Sequence, residues 1–163
     1  MLDKRNGRGD ILRFRLATPA DIGSLAALRW KLCTDDSPVT DSSARKKFIA
    51  AFQSALMNIE EQSRFVPFVA ESNSQIVAVL SIIKVAKIPH PDDINGQWGY
   101  LTNVYTLPEF RNKGTGGRLL AEAKNWAEAQ QLELLVVWPS DKSYAFYERA
   151  GFRREADPLV LKL

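Results

Sequence analysis

The chain is poor in the residues that thiol and metal chemistry need. Its 163 residues include one cysteine, Cys33, and one histidine, His90. A single cysteine excludes an intrachain disulfide and any metal site built on several thiolates. It also fits a reducing cytoplasm. Cys33 falls near the end of an apolar helical pattern and reads as a small hydrophobe, not a nucleophile. His90 lies between Pro89 and Pro91, next to Asp92 and Asp93, and reads as a solvated loop residue. No apolar run is long enough to cross a membrane, and no apolar segment follows the basic N-terminus as a secretory signal would require. Charge of one sign is scarce too. The net charge of +3 at pH 7 could favour an anionic ligand but does not demand nucleic acid. Part of it comes from Lys4, Arg5, Arg8, Arg13 and Arg15. We read residues 1–10 as a flexible basic tail and 11–163 as one domain, the length being right for a single core.

The hydrophobic periodicity gives the order β-α-α-β-β-β-α-β-α-β, a mixed sheet with helices on its faces. Residues 11–16 alternate apolar and basic as a half-exposed strand. Thr18-Pro19 with Asp21 is a helix start: an oxygen cap, a proline where no donor is needed and an acid in the first turn. Ile22, Leu25, Ala26, Leu28 and Leu32 then mark one apolar helical face. Asp35, Asp36, Ser37 and Pro38 mark a loop. A second helix is expected over 42–61, with Phe48, Phe52, Ala55, Leu56 and Ile59 as its stripe. Strands over 65–71 and 76–84 flank the turn 72–75, and a loop over 85–97 leads to a strand over 98–106. A helix runs from the glycines at 114–117 to about Gln131, burying Leu119, Leu120, Ala123, Trp126 and Ala127. A short buried strand (132–137), a helix (140–149) closed by a left-handed Gly151 and a strand (152–162) complete the chain.

The segment Arg111-Asn112-Lys113-Gly114-Thr115-Gly116-Gly117 carries the most chemical information. It joins a strand that stops before Pro108 to a helix that begins within the glycines. The first amides of a helix have no intrahelical acceptor, and the dipole makes that end positive, so it suits a phosphate. Glycine lets the main chain approach a bulky anion and adopt positive φ. Arg111 and Lys113 add charge. A nucleoside-triphosphate loop is excluded because Arg118, not Lys and Ser/Thr, follows the glycines. A dinucleotide fingerprint is excluded because position 119 is Leu. A plain glycine turn stays open on these residues alone.

The flanking residues narrow the choice. Asn103-Val-Tyr-Thr-Leu-Pro-Glu-Phe-Arg-Asn-Lys-Gly-Thr-Gly116 resembles the acetyl-CoA signature of the GNAT family of N-acetyltransferases. Phe146-Tyr147-Glu148-Arg149-Ala150-Gly151-Phe152 resembles its second signature. The two occur in the family's order, and the resemblance spans roughly residues 11–163. It implies a mixed sheet with two splayed strands, acetyl-CoA as cosubstrate, no metal, and a primary amine of a small molecule or protein as acceptor. By the same resemblance, Val104, Tyr105 and Thr106 match the strand that pairs with the pantetheine arm. Residues Arg111, Asn112, Lys113, Gly114, Thr115, Gly116 and Gly117 match the pyrophosphate loop, and Tyr147 matches the tyrosine near the sulfur.

Two departures stand out. Where the family often has an asparagine contacting the cofactor, this chain has Ser140. Where some members carry a glutamate base on the central strand, it has Tyr100. The expected reaction is direct attack by the amine, with Tyr147 as general acid toward the departing thiolate and a strand amide near Val104 or Tyr105 holding the oxyanion. A water-relayed proton path replaces the missing base. Glu71 is a candidate base for which a structural role is favoured. Asp35 and Asp36 would suit a cationic amine. Trp30, Trp98, Trp126 and Trp138 read as packing residues. A homodimer through exposed faces of the 42–61 helix fits the resemblance. Alternative readings are a longer-acyl transferase, an idle acyl-CoA sensor and an RNA-associated basic protein.

Overall fold

The computed structural model describes residues 4–5, 11–35, 41–57, 64–155 and 161. Their order is β1 (Lys4–Arg5), β2 (Ile11–Leu16), α1 (Ile22–Thr34), α2 (Ser42–Met57), β3 (Phe65–Ser72), β4 (Gln75–Ala86), β5 (Gln97–Thr106), α3 (Thr115–Ala129), β6 (Leu135–Val137) and α4 (Tyr144–Arg149), with short 3-10 turns at Pro19–Asp21 and Pro108–Phe110. The strands form one sheet in the order β1-β2-β3-β4-β5-β6. All neighbours are antiparallel except β5 and β6. The expected mixed sheet with flanking helices is therefore present. The end of the expected second helix beyond residue 57 and most of the expected 152–162 strand lie outside the described residues, and Phe152 to Glu155 form no strand.

β4 is the centre of the core. Every residue from Ile76 to Ile82 is buried. Successive strand residues face opposite sides, so an unbroken buried run requires cover on both faces. Helices α1 and α3 both pack on β4 and supply it. The α3 stripe read from the sequence is the buried one: Leu119, Leu120, Ala123 and Ala127 are enclosed, and Trp126 meets Phe68 edge-on at 5.6 Å. On α1, Leu25, Ala26 and Leu28 are buried. Cys33, expected to be a small hydrophobe, is exposed on that helix.

Local chemistry sets several boundaries. Asn73 (φ 47°) and Ser74 (φ 63°) are both left-handed, giving the two-residue turn that matches strand twist. The loop expected over 85–97 is largely a hairpin tip, since β4 runs to Ala86 paired with Gln97 and His90 and Asp93 exchange main-chain bonds. Residues 132–134 are irregular and β6 spans only 135–137, half-buried where a buried strand was expected. Residues 141–143 form a turn before α4 begins at Tyr144. Gly151, at φ 93°, is left-handed as anticipated, and its amide donates to the Glu148 carbonyl at 3.0 Å.

The start of α1 is tied to the sheet by charge. Arg15 on β2 donates to Asp21 through Nη1 (2.7 Å) and Nη2 (3.1 Å), and to Glu71 on β3 through Nη2 (2.8 Å) and Nε (3.0 Å). Asp21 also accepts the Thr18 amide at 2.7 Å and hydroxyl at 2.9 Å. Thr18 is the N-cap with Pro19 and Asp21 in the first turn, as expected, and its hydroxyl also donates to Asp21. Arg15 is the main cause holding the Asp21 carboxyl down to about 2, against the opposing effect of burial. A depressed carboxyl stabilises the fold above its unfolded value of 3.8 and loses that contribution as pH falls through the folded value. Thermal melts should therefore show stability dropping between about pH 4 and pH 2, by roughly 2 kcal/mol from this carboxyl. Asp21→Asn should be less stable at pH 7 and flatter across that window; an unchanged acid limb would refute the assignment.

Candidate active site

β5 and β6 are paired at only three positions, Gly99 with Leu135, Tyr100 with Val136 and Leu101 with Val137. β6 ends at Val137, and β5 continues to Thr106 without a strand partner on that side among the described residues. Within this free stretch the β4–β5 register slips between Val79–Tyr105 and Ser81–Thr102. Leu80 thus faces both Asn103 and Val104, a bulge that turns the strand. Asn103 takes φ 53° there. Its Nδ2 donates to Ser81 Oγ at 3.4 Å, and its Oδ1 is buried without a partner. The bulge went unnoticed in the sequence. The available signal was an asparagine, the side chain that most readily adopts left-handed φ after glycine, inside a strand.

After Leu107 the chain makes the 3-10 turn Pro108–Phe110 and enters α3 through Asn112 (φ 58°) and Gly114 (φ 78°). The Arg118 amide donates to the Gly114 carbonyl at 3.0 Å. Among the described residues, the amides of Thr115, Gly116 and Gly117 donate to no main-chain carbonyl. Thr115 is 1% exposed and its Oγ1 also lacks a partner. A Cβ added to Gly116 would lie 3.4 Å from both the Phe146 ring and Thr106 Oγ1, so this glycine already sits at contact distance from the opposite wall.

These groups border a cavity of about 780 Å³. Of the residues singled out in the sequence, Thr106, Arg111, Asn112, Gly114, Thr115, Gly116 and Gly117 line it together. Phe110, Lys124, Asn125, Phe146 and Arg149 are among the further lining residues; Phe146 and Arg149 join because α4 meets α3 in the folded chain. Val104, Tyr105, Lys113, Ser140 and Tyr147 do not line it. Lys113 folds back, donating to the Glu109 carbonyl at 2.5 Å. Ser140 serves the turn before α4: its hydroxyl donates to Ser143 Oγ at 3.1 Å and its carbonyl accepts the Ser143 amide at 2.9 Å.

Tyr147 lies behind the cavity wall. It is 7% exposed and its ring is held edge-on between Phe146 (5.0 Å) and Phe152 (5.6 Å). Burial, with a smaller contribution from Tyr100, pushes its hydroxyl up to about 12. Tyr100 itself meets Trp138 edge-on at 4.9 Å, and Trp138 is 57% exposed rather than an interior packing residue.

The carboxylates considered as bases or amine holders are already engaged. Glu71 is bound by Arg15. Asp35 accepts from Arg111 Nη2 at 2.6 Å and from the Tyr105 hydroxyl at 3.1 Å, and Arg111 is the chief cause of its lowered pKa. Asp36 lies outside the described residues. His90 is an exposed residue of the hairpin tip. No group of three or more His, Cys, Asp or Glu among the described residues could hold a metal.

A sheet opened on one edge beside a helix that begins in glycines is the architecture of a known family. The chain belongs to the acetyltransferase (GNAT) family, whose model matches residues 26–152. It is 24% identical over 152 residues to the uncharacterized N-acetyltransferase YhfO of Bacillus subtilis (strain 168), covering 88% of this chain and 91% of that one. A predicted acetyltransferase of Clostridium acetobutylicum, solved with acetyl-CoA, superposes with a TM-score of 0.73 at 26% identity over 93% of this chain and 96% of its own. The glucosamine-6-phosphate N-acetyltransferase of Arabidopsis thaliana shares the fold, with a TM-score of 0.66 at 18% identity over 93% of this chain and 97% of its own. Among the described residues, no helix is long and apolar enough to cross a membrane.

Two of the cavity glycines, Gly114 and Gly116, should fail differently. Gly114→Ala strains a left-handed residue and should lower stability by about 1 kcal/mol in a denaturant melt. Gly116→Ala should be tolerated, while Gly116→Leu, whose extra atoms must enter the cavity, should weaken coenzyme A binding at least tenfold by calorimetry with little change in melting. Equal binding by Gly116→Leu would remove this cavity as the cofactor site.

Proposed function

We propose that the protein transfers an acetyl group from acetyl-CoA to a primary amine by direct attack. The observation that carries this reading is the set of unpaired donors at the start of α3: the Thr115, Gly116 and Gly117 amides and the orphaned Thr115 hydroxyl. Thr115 is buried, and a hydroxyl so enclosed ordinarily finds a partner; the Gly116 and Gly117 amides are accessible from the recess, and a diphosphate supplies oxygens for all of them where the helix dipole favours negative charge. In this reading Arg111 to Gly117 form the pyrophosphate loop. The main chain of Val104, Tyr105 and Thr106 has an edge without a strand partner among the described residues, suited to an extended pantetheine arm, although the Thr106 carbonyl already accepts from Arg111.

The amine nitrogen attacks the thioester carbonyl carbon; a C–N bond forms, the C–S bond breaks, and the nitrogen loses a proton. A main-chain amide at the Asn103–Val104 bulge holds the oxyanion. Tyr147 donates its proton to the departing thiolate. Its raised pKa suits that role, since an acid must still hold its proton at working pH. Glu71 and Asp35 are engaged, and the amine's proton leaves through water. The acceptor is a small-molecule or protein amine. Fold relatives include enzymes named for glucosamine-6-phosphate and for aminoglycosides, which makes amino sugars a rational start.

The test is release of free thiol from acetyl-CoA against a panel of amino sugars, polyamines and peptide N-termini. Turnover with one class is expected; tight coenzyme A binding with no turnover on any amine would favour the idle sensor. Tyr147→Phe should lower kcat about a hundredfold and leave coenzyme A affinity within about twofold. Because Tyr147 keeps its proton to about pH 12, any alkaline fall in rate near pH 9 should persist in that variant at its lower level. Undiminished turnover would exclude the acid role.

A further inference from the structure

Arg111 begins the cofactor loop and lines the cavity, and its guanidinium reaches on to α1. Nε donates to the Thr106 carbonyl at 2.8 Å and Nη2 to Asp35 at 2.6 Å. The guanidinium carbon stands 5.2 Å from the centre of the Tyr105 ring, and the Tyr105 hydroxyl closes the set on the other Asp35 oxygen at 3.1 Å. Asp35 is the C-terminal cap of α1, its amide donating to the Lys31 carbonyl at 2.8 Å. These partners lie 70 and 76 positions apart in sequence. Two adjacent β5 residues divide the geometry: Thr106 lines the cavity, whereas Tyr105 turns through the sheet to α1, as alternation requires. The planar fork of arginine is suited to spanning the two, because its donors are fixed relative to one another.

We propose that Arg111 is a positioning residue that couples occupancy of the cofactor loop to the last turn of α1, on the opposite face of β5. This rests on the cofactor reading above. Ligand oxygens on the α3 amides fix the turn that carries Arg111. A fixed Arg111 holds Asp35 more firmly, and Asp35 anchors the end of α1. Linkage makes the effect reciprocal, so order at the α1 end strengthens cofactor binding by the same factor. The residue's main chain and side chain therefore do separate work.

Coenzyme A is the probe, with calorimetry for affinity and amide hydrogen exchange for the α1 end. In the wild type, saturating coenzyme A should slow exchange of the amides over residues 31–35 by about fivefold or more. Asp35→Ala, at a half-exposed side chain, should bind coenzyme A within about fivefold of wild type and lose that slowing. Arg111→Lys, which keeps the charge but not the fork, should lose it too. Slowing that persists in Asp35→Ala, or wild-type binding without any slowing at 31–35, would overturn the coupling and leave the cofactor reading intact. Absence of coenzyme A binding by the wild type would overturn both.

Discussion

Among the described residues, the main-chain amides that open α3 donate to no main-chain carbonyl, and the surrounding structure leaves them open to the recess. A buried donor without a partner, as at Thr115, is unfavourable. Here Gly114 turns the chain left-handed into the helix, Gly116 allows the opposite wall to come to contact distance, and Phe146 fills that wall. Thr115 adds a further donor at the same place. The cost of leaving these groups unpaired makes sense if an anion completes them.

The sheet provides the second half of the arrangement. Three parallel pairs hold β5 to β6, and β5 then runs on past the end of β6. The bulge opposite Leu80 lies in the unpaired stretch. Antiparallel pairing to β4 continues on the other side, so β5 remains anchored while one of its edges is open. The helix start and the last residue of β5, Thr106, border the same recess, and Tyr147 packs against its Phe146 wall. Its ring is fixed by aromatic neighbours rather than by hydrogen bonds, so its hydroxyl keeps its donor available.

Much of this was legible because the causes are local. The α3 stripe, the 73–74 turn, the Gly151 cap and the glycine cluster all follow from spacing and backbone preference within a few residues. The seven cavity-lining residues recognised beforehand belong to contiguous β5 and α3 segments. What was missed depends on contacts between distant segments. Asp35 meets Arg111 across 76 positions, so a residue expected to hold an amine is already neutralised. Phe146 and Arg149 join the wall only when α4 meets α3. Ser140 was matched to a cofactor contact by position, whereas its hydroxyl caps a turn. Cys33 shows that an apolar stripe does not bury every small residue near it.

The central claim is that the free amides of α3 receive the cofactor's diphosphate, and amide NMR resolves it directly. Titrating isotopically labelled protein with coenzyme A should shift the Thr115, Gly116 and Gly117 amide protons most strongly downfield, in step with binding. Saturable binding that leaves those three resonances in place would contradict the account.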